Sequence, residues 1–62
     1  MAAMDMFASY LNSLGKAERK AIEPLVHNEQ ADLFAARSEE ARLRIVQRFV
    51  SEAAKVIDRA RT

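Results

Sequence analysis

Apolar residues recur at helical spacing through most of the chain. Met4, Phe7, Leu11 and Leu14 fall three, four and three residues apart, with Met6 and Tyr10 beside them. That period places them on one face of a helix. Asp5 lies in its first turn, where the partial positive charge of a helix start favours a carboxylate. The pattern predicts a helix over 3–14, with Gly15 as its C-terminal stop.

A second helix is predicted over 16–23, carrying Ala17, Ala21 and Ile22 with charged residues between them. Pro24 has no backbone N–H and disfavours helical conformation at Glu23, so a break or kink is expected near Ile22–Glu23. A third helical element spans 25–37. It is either one helix with Pro24 in its opening turn or a pair of turns followed by a helix over Glu29–Arg37 capped by Asn28.

The last segment carries the strongest pattern. Ser38 can cap a helix whose first turn holds Glu39 and Glu40, and from there to Arg61 there is neither Gly nor Pro. Leu43, Val46, Val50, Ala53, Ile57 and Ala60 are spaced three, four, three, four and three. This heptad seam predicts a helix over 39–61, the longest element. Ile45, Phe49 and Val56 lie on one flank of the seam and Ala54 on the other. The apolar arc is then roughly 180° wide, against ~100° for a helix covered from one side.

Length sharpens the problem of coverage. A helix of this extent is a rod of about 33 Å, whereas a compact domain of this size has a radius of gyration near ~11 Å. Short chains without disulfides commonly complete their core by oligomerising. The expected fold is therefore all-α. It is a single domain over 1–62 with three to four helices and a long C-terminal helix, forming a helical hairpin or small bundle that dimerises into a larger one. Leu43, Val46, Phe49, Val50, Ala53 and Ile57 are the expected dimer interface.

Charge adds one feature. The net charge is +1, but residues 37–62 hold seven Lys/Arg against four Asp/Glu, and residues 1–36 hold three against five. Arg44, Arg48, Lys55 and Arg59 project within roughly 60° of one another opposite the apolar arc. Such a basic stripe can meet a phosphate backbone or an acidic partner. It is also what a solvated helix face looks like when partly neutralised by Glu40–Arg44 and Arg48–Glu52 pairs. A sequence pI near 8.2 and few aromatics favour the second reading. Arg42 falls inside the apolar arc. It can snorkel outward, or pair with a carboxylate such as Asp32 or Glu39 or with one on a second subunit.

A helix-turn-helix over 16–37 fits poorly, because Pro-Leu-Val-His-Asn stands where a short turn belongs and the second helix would begin with Glu29. No catalytic constellation is visible. His27 is the sole histidine and there is no cysteine, so thiol chemistry and Cys-based zinc sites are excluded. Neither a Gly-rich phosphate loop nor a Ser/His/Asp spacing is present. No enzyme, metal or cofactor is expected. Met1, Met4 and Met6, with Phe7 and Tyr10, read as core lining, and secondarily as an adaptable contact surface. No apolar run approaches the ~20 residues of a membrane span, and no export signal is visible, so the cytoplasm is the expected location and no membrane partner is expected. The expected function is a small non-enzymatic protein-interaction module, a regulator or adaptor acting as a homodimer and on another protein. Nucleic-acid binding through the basic stripe is the alternative.

Overall fold

A computed structural model describes residues 2–61 and contains four helices: α1 (Ala3–Ser13), α2 (Lys16–Ala21), α3 (Glu23–Ala35) and α4 (Glu39–Arg61). There is no strand among the described residues. The fold is an all-α small bundle whose longest helix comes last, as the periodicity predicts.

The chain does break at Gly15, but not through a left-handed cap. Leu14 and Gly15 are both extended, with φ/ψ of −89°/148° and −73°/169°. Gly15 instead opens α2, and its N–H donates to the Glu18 carboxylate at 2.8 Å. An L-residue adopts such a backbone freely, and an added Cβ would meet only Glu18 Oε1, at 3.3 Å, the end of a side chain that can shift. Gly15→Ala is thus expected to change stability by less than about 0.5 kcal/mol. Lost unfolded-state entropy is offset by the poorer capping of alanine. A left-handed glycine would instead lose about 1–2 kcal/mol on this change. A thermal melt decides between the two.

The passage from α2 to α3 takes one residue, Ile22, with φ −106° and ψ 8° and its side chain fully buried. Pro24 sits in the opening turn of α3, where a missing N–H leaves no helical bond unmade. The helix therefore starts at Glu23, with Val26 N–H already bonded to Ile22 O at 3.0 Å. Asn28 is consequently an exposed residue inside α3 rather than the cap of a later helix. No multi-residue turn separates α2 from α3, so residues 16–37 do not form a helix-turn-helix pair. At α4 the expected cap is present: Ser38 Oγ accepts from Ala41 N–H at 3.1 Å.

α4 is the spine on which the other helices pack. Ala3 N–H donates to the Glu39 carboxylate, so α1 starts beside the start of α4. Its Phe7 and Tyr10 then reach Phe49 edge-on, at centroid distances of 5.1 and 5.9 Å. α2 lies by the far end, where Arg61 donates to Glu18 at 2.6 Å. α3 returns antiparallel, bringing Glu29 and Asp32 beside Arg44, Ile45 and Arg48. α1 and α2 thus lie end to end along the rod, and α3 runs back along it as their neighbour.

This arrangement gives the residues expected at a dimer interface a place in the core of a single chain. Val46, Phe49, Ala53 and Ile57 are buried by the chain's own helices and form the core with Ala3, Phe7, Ile22 and Leu33. Leu43 and Val50 are half-buried against the same cluster, as are Ile45 and Val56. The wide apolar arc is real, but flanking helices of the same chain fill it. That is possible because the bundle is elongated, measuring 37 × 19 × 15 Å, and so matches the length of α4 instead of being a sphere too small for it.

Candidate interaction surface

The four residues of the basic stripe, Arg44, Arg48, Lys55 and Arg59, are all exposed on the outer face of α4. Arg44 pairs with Glu40 at 3.1 Å, and Lys55 lies 4.0 Å from Glu52, the partner expected for Arg48. Arg48 instead stands close enough to Glu29 to favour its charged form. Arg44, Arg48 and Lys55 thus each have a carboxylate of the same chain beside them, which weakens the stripe as a phosphate-binding surface. Arg42 takes the pairing option: it lies 3.5 Å from Glu39 and also donates to the Ala36 carbonyl at 3.2 Å, tying the α3–α4 connection to α4. His27 is exposed. No group of three or more His, Asp or Glu side chains able to hold a metal occurs among the described residues. No described helix is long and apolar enough to cross a membrane.

Two ionisable clusters brace the bundle. Glu18 accepts from the Gly15 backbone and from Arg61, and these bonds hold its carboxyl below the ordinary value of 4.5. Tyr10 is held above its ordinary range by burial, with the nearby Glu18 charge adding to the effect. On the opposite flank Glu29 is raised, first by burial and then by Asp32, with Arg48 opposing. The signs differ. A depressed carboxyl contributes stability above its unfolded pKa, and this is lost as pH falls through the folded value. A raised one favours the folded state increasingly as pH falls. Glu18→Gln is expected to lower stability near neutrality and to flatten the acid limb, an effect reduced by salt because the site is open to solvent. Urea midpoints followed from neutrality to about pH 3 would show it. Parallel curves for parent and variant would mean that the Glu18–Arg61 contact does nothing for folding.

The surface that stands apart lies between α1 and α3. Both helices pack on α4 and have at most slight contact with each other, so an open groove separates them. At one end lies a depression lined by Met4, Gln30, Leu33, Phe34 and Arg42. At the other lies a second depression, lined by the apolar Leu11 and Val26 together with Asn12, Lys16, Arg19, Lys20 and Glu23. Phe34 leaves 94% of its surface exposed and Met4 leaves 50%, and these two are the exposed large hydrophobic residues of the described chain. Met4 belonged to the segment read as core lining. The structure divides that segment: Phe7 is buried, Met6 and Tyr10 are half-buried and Met4 faces out. Phe34 escaped sequence reading because it adjoins Leu33, which is buried, and a step of ~100° along the helix carries the next side chain off the core face.

Comparison of the chain with protein-family models, with curated proteins and with solved structures gives no match in any of the three.

Proposed function

We propose that this chain is a small non-enzymatic interaction module of the cytoplasm that receives another protein on the α1/α3 face. The observation that carries the reading is the Phe34 ring, almost wholly in water beside a half-exposed Met4 and above the buried Leu33. A folded chain this small has little apolar surface to spare, and nothing in the packing uses Phe34. Aromatic and methionine side chains rimmed by polar groups are what partner proteins bury as anchors. Homodimerisation through the α4 seam is not part of this proposal, because those side chains already serve as the core.

Two measurements test it. Phe34→Ser should leave the melting curve within about 0.5 kcal/mol of the parent, as for other solvent-facing positions. A photo-crosslinking residue placed at position 34 in the native cell should give a discrete adduct with another protein, and one placed at position 48 should not. Loss of folding on Phe34→Ser, or the same diffuse labelling from both positions, would overturn the reading.

A further inference from the structure

The groove carries more information than the exposure of one ring. Met4 and Leu11 lie on the same face of α1, seven residues and so ~10.5 Å apart. Phe34 and Val26 pair with them across the groove, one at each depression. Two apolar depressions two helical turns apart match the i and i+7 anchors of an amphipathic helix laid along the groove.

Charge selects the kind of helix. Lys16, Arg19 and Lys20 surround the Leu11–Val26 depression, with Glu23 the single acid of its lining. Arg19 is held in place there, its Nε donating to the Leu11 carbonyl at 2.9 Å. Lys16 and Lys20 make no ion pair within the described chain. The only cation at the other depression is Arg42, already engaged with Glu39 and Ala36. The groove thus has a free positive end and a neutralised one.

We infer that the α1/α3 groove binds an acidic amphipathic helix of another protein. Its apolar anchors two turns apart enter the Met4–Phe34 and Leu11–Val26 depressions, and its carboxylates meet Lys16, Arg19 and Lys20. This rests on the docking face proposed above and adds the chemistry of its partner. A second copy of this chain is a poorer occupant. Residues 37–62, which hold the longest helix it could offer, carry seven Lys/Arg against four Asp/Glu, a net positive charge of the same sign as the lysines it would have to meet.

The test uses the full chain, isotope-labelled, and two synthetic peptides of about 18 residues, long enough to be helical when bound. Both carry leucines at i, i+3, i+4 and i+7; one has glutamates on its outer positions and the other lysines. The acidic peptide should shift the amides around Met4, Leu11, Lys16, Lys20, Val26 and Phe34, and should bind about tenfold more tightly than its basic twin, with a marked loss in salt. Lys16→Glu with Lys20→Glu should reverse that preference. Lys16→Gln with Lys20→Gln, which does not set a new charge against the helix ends, should reduce it by a smaller factor in a chain that circular dichroism shows to be folded.

Equal binding of both peptides, no shifts, or shifts along the outer face of α4 would overturn the inference. So would displacement of the acidic peptide by duplex DNA, or a protein already at twice its mass with the groove closed. The docking reading fails separately. If position 34 crosslinks a discrete partner while the acidic peptide does not bind, the face stands and the acidic helix is wrong. If position 34 gives nothing, the face itself is wrong.

Discussion

Phe49→Ala is expected to leave the chain largely unfolded at room temperature. The ring is 2% exposed, at the middle of α4. It is the point where α1 is fastened to the spine, since Phe7 and Tyr10 both present an edge to it. Removing a buried phenylalanine costs about 3–5 kcal/mol, of which part is the cavity left behind. A 62-residue chain has on the order of 3–9 kcal/mol to lose, at 0.05–0.15 kcal/mol per residue. Neither aromatic neighbour can collapse into the gap without leaving its own place on α1. The matching change at Phe34 removes the same atoms from a ring lying in water and should do almost nothing. Circular dichroism melts of the two variants side by side make the check. A cooperative Phe49→Ala transition within about 1 kcal/mol of the parent would show that Phe49 is not the junction of α1 and α4.

Position along the chain decided how much of this fold was legible in the sequence. α4 was readable almost to the residue, because Ser38 supplies a cap, Glu39 and Glu40 suit the dipole, and nothing after them interrupts the period. The second and third helices were blurred by Pro24. Proline weakens a helix interior but is at home in an opening turn, and only the surrounding packing, through the buried Ile22, shows which applies. The width of the apolar arc on α4 calls for cover from two directions, and the core cluster supplies it from the other helices. What covers it was not legible, because arc width is a property of one helix while its coverage depends on how α1, α2 and α3 are laid out in space. Assuming a sphere made them too short, whereas laid end to end and alongside they suffice. The interaction surface was the least visible part. The groove exists because α1 and α3 diverge on α4, and no spacing along either helix encodes that gap.

Adjacent alanines on α4 give the sharpest test of that layout. Ala53 has no exposed surface and lies in the core with Phe49 and Ile57, whereas Ala54, the next residue, faces solvent. Ala53→Leu forces a larger side chain into a filled space and is expected to lose about 1–3 kcal/mol. Ala54→Leu should stay within about 0.5 kcal/mol of the parent. The same pair of variants distinguishes an internal seam from one shared between copies. If the seam lies within one chain, sedimentation equilibrium returns 7.0 kDa for the parent and for both variants, and only the stability of Ala53→Leu changes. If two copies shared it, the parent would sediment at twice that mass and the melting temperatures of parent and variant alike would rise with protein concentration, because folding and association would then be one equilibrium. Melting that does not depend on concentration, at a mass of 7.0 kDa, places Ala53 in the core of its own chain and leaves the α1/α3 groove as the apolar surface open to a partner.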